Sequence, residues 1–150
     1  MYLLNRGQKV DIVQQINIQA SAAVVYAQYE QVVSWPEWDR EVTGVSLSNG
    51  LKVGSHGWLQ PRSGPKASIQ VTKVVPGVSF AIESLLPFCR MVFEHDLREH
   101  EQGTIAVHSV RFVGPLAFIF RRVIGKEIEQ TLPSTLAGLK RVSEQNGARP

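Results

Sequence analysis

Apolar and polar side chains alternate strictly near the start of the chain, from Lys9 to Ile18. A period of two residues is typical of a strand with one face buried. The segment is therefore predicted to be the first strand, and its inward face is formed by Val10, Ile12, Gln14, Ile16 and Ile18.

The period then changes from two residues to between three and four. Ser21 can cap a helix, whose apolar positions are Ala22, Val25, Tyr29, Val32 and Val33. Pro36 restricts the residue before it and lacks an amide donor, so the helix is predicted to stop there after about three turns.

Six short segments rich in β-branched residues follow, and each is separated from the next by turn-forming residues such as Asn-Gly and Pro-Gly. Consecutive strands joined by such short turns predict an antiparallel meander. The segments are Val42 to Leu47, Gly54 to Gln60, Lys66 to Val75, Ser79 to Leu85, Cys89 to Arg98 and Gly103 to Phe112.

A long helix is predicted after Gly114-Pro115, because one apolar stripe returns every three or four residues from Leu116 to Val142. Pro133 interrupts this stripe. An internal proline loses one backbone hydrogen bond and clashes with the preceding turn, so we expect a kink between Glu129 and Leu132.

Composition limits the class of protein. The chain of 150 residues is 43% hydrophobic and 19% charged, which predicts a single domain spanning residues 1–150 with a continuous core. The net charge of +3 is scattered along the chain, which argues against nucleic acid as a partner.

Targeting and redox signals are also missing from the sequence. The N-terminal apolar patch covers only Tyr2 to Leu4, and the longest apolar run, Phe112 to Phe120, is far shorter than the roughly 20 residues of a membrane helix. Cys89 is the one cysteine, so neither an internal disulfide nor a cysteine-rich zinc site can form. We expect a cytoplasmic protein without stable membrane insertion.

Two segments resemble a known superfamily: ASAAVVYAQYEQVVSWPEWDREV near the front and GTIAVHSVRFVGPLAFIFRRVIGKEIEQTLPSTLAGLKRV at the back. In this order they are similar to the START-like (SRPBCC) proteins, which include polyketide cyclases/dehydrases and Bet v 1-like proteins. The resemblance implies an α+β helix-grip fold, a curved seven-stranded antiparallel sheet around a long C-terminal helix with a short helical insert after strand 1. It implies no obligatory cofactor.

Histidine is the candidate for proton transfer, because its ordinary pKa lies near neutral pH. Alternation places His108 on the same face as Val110 and Phe112, which would line an interior. A buried imidazole needs a partner, and the candidates are Glu83, Arg90 and His95. Glu83 is a second candidate base if burial raises its pKa.

Aromatic and apolar residues complete the predicted binding site. The resemblance places Trp35 near the mouth of a cavity, while Trp58 lies on a short strand and Phe120 and Ile124 on the helical stripe. No histidines have metal-ligand spacing, and no nucleophile or phosphate-binding motif is present, so no metal site and no covalent catalysis are expected.

Three functions remain open. The first is binding of a small hydrophobic molecule, lipid-like or aromatic, in a cavity between sheet and helix. The second is a cyclase or dehydratase-like enzyme in which His108 or Glu83 moves protons. The third is a protein-interaction module with a collapsed cavity. A homodimer through the exposed edge strand Val42 to Leu47 is a further expectation.

Overall fold

Seven antiparallel strands form one curved sheet in the order β1-β7-β6-β5-β4-β3-β2. The structure is a computed structural model that describes residues 11–148. Its strands are β1 (Ile12–Ile18), β2 (Val42–Leu47), β3 (His56–Pro61), β4 (Ala67–Val75), β5 (Ser79–Leu86), β6 (Cys89–His100) and β7 (Gly103–Val113). Its helices are α1 (Ala22–Glu30), α2 (Trp35–Trp38), α3 (Ala117–Val123) and α4 (Gly125–Gly147), with a 3₁₀ turn at Val32–Ser34.

The predicted meander is confirmed, because β2 to β7 pair in chain order and β1 closes the sheet against β7. The predicted inward residues Ile12 and Ile18 are buried. The predicted positions Lys9 and Val10 lie outside the described residues. β1 and β2 are the two edges of the sheet.

The helical insert differs from its prediction. Ser21 caps α1 as expected, since its hydroxyl accepts from the Val24 amide at 3.3 Å. However, α1 ends at Glu30, and Pro36 lies in the first turn of α2 instead of stopping α1. The reason is that proline is well accommodated in a first helical turn, where its missing N–H has no helical partner to lose.

The C-terminal helix is interrupted at Ile124, where α3 gives way to α4, and α4 then runs continuously through Pro133. The break at Ile124 was not predicted, and the predicted kink between Glu129 and Leu132 stays a prediction. A Cβ on Gly125 would lie 3.5 Å from the Phe112 ring and 3.6 Å from Ile12. These are ordinary van der Waals distances, so an alanine would also fit where the start of α4 packs on the sheet.

Two clusters of buried side chains fill the space between sheet and helices. The larger joins α1, α2 and the second half of α4 to the sheet. The smaller lies at the other end of the sheet and contains Phe112, Ala117 and Leu132. Asp39, at the end of α2, accepts a hydrogen bond from the Thr135 hydroxyl at 2.9 Å and thereby ties α2 to α4. The predicted α+β architecture, a curved sheet gripping a long C-terminal helix, is confirmed.

Candidate functional site

A buried tyrosine–histidine pair lies at the centre of the larger core cluster. Tyr29 on α1 is 1% exposed and His108 on β7 is 4% exposed. Their Oη and Nε2 atoms are 2.7 Å apart and hydrogen-bonded. The partner of His108 is therefore a phenol contributed by the helical insert.

A second imidazole stands directly opposite the first. His95 on β6 pairs in register with His108, and the two ring centroids are 4.6 Å apart. The His95 ring also stacks on Phe80, with centroids 4.0 Å apart and planes inclined by only 4°. His95 Nδ1 is inaccessible to solvent and makes no hydrogen bond of ordinary geometry within residues 11–148, although the Phe80 backbone lies near enough to interact with the ring. Tyr26 Oη and Trp38 Nε1, in the same core cluster, are likewise buried without a partner among the described residues.

Burial keeps all three of these groups neutral. Desolvation lowers the pKa of His95 to about 4, against a smaller opposing effect from the Phe80 backbone. Desolvation, and then the neighbouring His95, hold the pKa of His108 well below its ordinary value. Desolvation and then Asp96 raise the pKa of Tyr29 well above the usual phenol value. Because the phenol stays protonated and the imidazole unprotonated, the Tyr29 hydroxyl can donate to His108.

Trp35 borders this cluster from α2. Its indole Nε1 donates to the Tyr29 carbonyl at 3.0 Å, and its ring stacks on Phe80 with centroids 6.3 Å apart. The side chain is 7% exposed, so Trp35 belongs to the packed aromatic interior. Its position near a cavity mouth stays a prediction, as does the cavity itself.

The other predicted site residues separate into two groups. Val110 and Phe112 are buried on the inner face of the sheet, as alternation predicted, and Phe120 and Ile124 pack against them from the helical side. Trp58 alternates with Leu59, which faces the core, and therefore lies on the outer face under the Lys66 ammonium.

Glu83 and Arg90 are also on the outer face, because Glu83 alternates with the core residue Ile82. They form an ion pair with each other at 2.6 Å. The expected pairing of either residue with His108 is wrong. Of the three candidate partners, only His95 lies beside His108.

An apolar strip continues from the imidazoles toward α3. Its members are half-buried and pack against the smaller core cluster: Leu86, Met91, Phe93, Phe120, Ile124 and Ile128. Three of them come from β5 and β6 and three from the helices. α4 lies mainly along β1 and packs less against β7, so the inner faces of β5 and β6 are only partly covered by helix. The apolar strip is thus a partly accessible surface inside the grip.

A separate, wide depression of about 560 Å³ lies on the outer side of α4. It is lined by Ala137, Lys140, Arg141, Glu144, Gln145 and Ala148. This depression lies away from the site anticipated from the sequence, and the predicted internal cavity stays a prediction. Among residues 11–148, no group of three or more His, Cys, Asp or Glu side chains is positioned to hold a metal ion.

Sequence reasoning missed Tyr29, Phe80, Met91 and Phe93 as site residues. The apolar period of α1 does contain Tyr29, which marks it as inward-facing. Met91 and Phe93 share the alternation of His95 on β6, which is the signal that could have identified them.

Comparison with known proteins now adds to this geometry. No protein-family model matches the sequence, and no curated protein matches it. Several solved structures do match. Protein MLL2253 from Mesorhizobium loti is 16% identical, with a TM-score of 0.71 over 89% of this chain and 96% of that one.

Two further structures are informative about the fold. The di-domain ARO/CYC StfQ from the steffimycin biosynthetic pathway gives a TM-score of 0.72 at 10% identity, over 92% of this chain and 51% of that one. Ara h 8.0201 gives 0.68 at 8% identity, over 90% of this chain and 97% of that one. At such low identity these similarities establish the architecture alone. The chain has the helix-grip fold of the START-like, Bet v 1-like proteins.

Proposed function

We propose that this protein binds a small apolar molecule that carries a hydrogen-bonding group. The observation that supports this most directly is the apolar strip together with the His95 imidazole, which follows Met91 and Phe93 on the same face of β6. An apolar surface with one or two polar anchors is the usual composition of a small-molecule site.

The polar anchor is His95 Nδ1. A buried polar atom without a partner carries a desolvation cost, which a ligand hydrogen bond would remove. Because burial keeps the pKa of His95 near 4, its imidazole is neutral at physiological pH. A neutral, uncharged anchor suits a hydroxyl or carbonyl compound better than an anion.

The fold neighbours agree with this proposal at a coarse level. One of them, StfQ, is a di-domain ARO/CYC of the steffimycin biosynthetic pathway, and that role belongs to that protein. In this chain, the same site supports a second candidate function, proton transfer on a bound polyketide-like compound. The observation that favours it is the Tyr29–His108 pair beside His95, since neutral imidazoles can accept a proton. Glu83 has no part in it, because it lies on the outer face.

Binding is tested by titrating the protein with the neutral fluorescent probe Nile red. Met91→Glu places a carboxylate in the apolar strip without disturbing a fully buried position. We expect it to weaken probe binding at least about tenfold, because an apolar molecule would desolvate an unpaired charge. The control is Val13→Glu, which puts the same charge on the outer face of β1, where Val13 is 49% exposed.

Equal binding by the Met91→Glu protein would contradict the proposed site. Absence of saturable binding in the parent protein would favour the interaction-module hypothesis, in which the interior serves only as core. To separate binding from catalysis, His108→Gln is incubated with a poly-β-keto thioester. Loss of aromatic product with unchanged Nile red binding would support the enzyme, and no turnover by the parent protein would exclude it for that substrate.

A further inference from the structure

An exposed apolar surface lies where the β5–β6 turn meets α3. Its four side chains are large and are between 42% and 76% exposed. We call it the α3 surface, formed by Phe88, Phe118, Ile119 and Val123.

The two parts of the α3 surface are adjacent in space. The Leu116 amide at the start of α3 donates to the Phe88 carbonyl at 3.2 Å. Phe88 itself adopts a positive φ of 53°, an uncommon conformation for a non-glycine residue. The turn thus presents a large aromatic side chain to solvent next to the helix.

α3 is held with Phe118, Ile119 and Val123 outward. Ala117 is buried in the smaller core cluster. On the same helix, Arg121 Nε lies 2.6 Å from Asp11 Oδ1, and the other carboxylate oxygen of Asp11 accepts the Phe112 amide at 2.8 Å. These contacts fix the inner face of α3. Phe118 on its outer face is therefore exposed because the helix is fixed in this orientation, and not because the helix is frayed.

Basic side chains outnumber acidic ones around this surface. Residues 85–91 and 114–126 contain four basic residues, Arg90, Arg121, Arg122 and Lys126, and the acidic residues beside them are Asp11, Glu83 and Glu127. Arg90 is paired with Glu83 and Arg121 with Asp11. Within residues 11–148, Arg122 and Lys126 form no ion pair, and both are exposed. The local excess of positive charge lies beside the apolar side chains.

We propose that the α3 surface docks on the anionic face of a lipid bilayer. Exposed aromatic and aliphatic side chains beside basic residues are the composition of interfacial membrane-binding segments. A second copy of the chain is a poorer occupant, since a symmetric contact would bring Arg122 and Lys126 close to their own counterparts. Docking would be peripheral, because no helix within the described residues is long and apolar enough to cross a bilayer.

Membrane docking does not depend on the proposed ligand binding. It would add a cellular location, the membrane surface, to the proposed function. The inner side of α3 contributes Phe120 and Ile124 to the apolar strip. When the protein is docked, the α3 side of the apolar strip would therefore lie next to the lipid surface.

The test is flotation of the full chain with phosphatidylcholine vesicles that contain or lack phosphatidylserine. We expect binding to the anionic vesicles that decreases as salt is raised. The double variant Arg122→Glu/Lys126→Glu should bind at least about 30-fold more weakly, because each basic residue near such a surface contributes about a factor of five. Phe118→Asp and, on the separate turn, Phe88→Ser should also weaken binding.

Matched controls lie elsewhere on the surface. Lys52→Glu/Lys73→Glu makes the same charge change, and Val33→Asp replaces a valine that is 83% exposed on the 3₁₀ turn. These controls should bind like the parent protein. The proposal is overturned if the parent does not bind anionic vesicles, if the controls lose as much binding as the test variants, or if the α3 surface variants instead abolish a dimer seen by sedimentation. Nile red binding is measured with the same variants. Nile red binding without vesicle binding would contradict membrane docking alone and leave the proposed ligand site intact.

Discussion

The two buried imidazoles should make the protein lose stability as the pH falls. In the unfolded chain a histidine has a pKa of about 6.5, so it takes up a proton below that pH. In the folded protein the pKa of His95 is lowered to about 4, so the folded state stays unprotonated until the pH approaches that value. The unfolded state then binds more protons, and stability decreases between about pH 6.5 and about pH 4.

The size of the effect follows from proton linkage. One extra proton on the unfolded state costs about 1.4 kcal/mol per pH unit, so lowering the pH from about 7 to about 5 removes about 2 kcal/mol through His95 alone. His108 acts in the same direction, because its pKa is also lowered by burial. For a domain of this size such a loss is a substantial fraction of the total stability.

Urea unfolding followed by tryptophan fluorescence at several pH values measures this slope. His95→Gln removes one titrating group and should flatten the curve between about pH 6.5 and about pH 4. Val33→Gln supplies the control, because it changes a side chain that is 83% exposed without adding or removing an ionisable group, and it should leave the slope unchanged. Identical slopes for His95→Gln and the parent, or an NMR titration of the His95 ring near its ordinary pKa, would refute the reasoning.

Two further predictions concern single contacts. Tyr29→Phe removes the hydroxyl that bonds His108 and leaves a buried imidazole nitrogen unpaired, so it should cost about 1–3 kcal/mol in a thermal melt; an unchanged melting temperature would mean that water replaces the hydroxyl. Gly138→Ala should destabilise far more than Gly147→Ala, because its Cβ would lie 1.8 Å from the Trp38 carbonyl oxygen whereas that of Gly147 would be 3.4 Å from its nearest neighbour; comparable melting temperatures for the two variants would contradict this.

The strands were predictable because their two signals are local. Period-two alternation marks each strand, and residues such as Gly77 and Gly103, which adopt φ of 76° and 134°, mark the turns between them. Both signals are read from a few neighbouring residues. The seven predicted strands therefore match the observed ones to within a few residues at each end, within the described part of the chain.

The helix boundaries were less predictable because they depend on distant contacts. The interruption at Ile124 coincides with the place where Gly125 packs against Ile12 and Phe112. Nothing in the local pattern favours that position over Pro133, which has the stronger intrinsic tendency to break a helix. Packing against the sheet decides between them, and the sequence alone does not contain the packing.

The site residues also differ in whether local sequence or distant contacts position them. The turn at Glu101-Gln102 sets the β6–β7 register, in which His100 lies opposite Gly103 and each step outward pairs the next residues, so that His95 comes to lie opposite His108. The predicted strand ends, Arg98 and Gly103, do not give this register, so the two facing imidazoles follow only from the observed two-residue turn. Tyr29 is different, because it comes from α1, 79 residues away, and meets His108 only once the insert has folded over the sheet. A register follows from a local turn, whereas a contact between a helix and a sheet needs the tertiary fold. For this reason alternation correctly placed His108 inside, but it assigned that residue partners from β5 and β6 instead of the phenol above it.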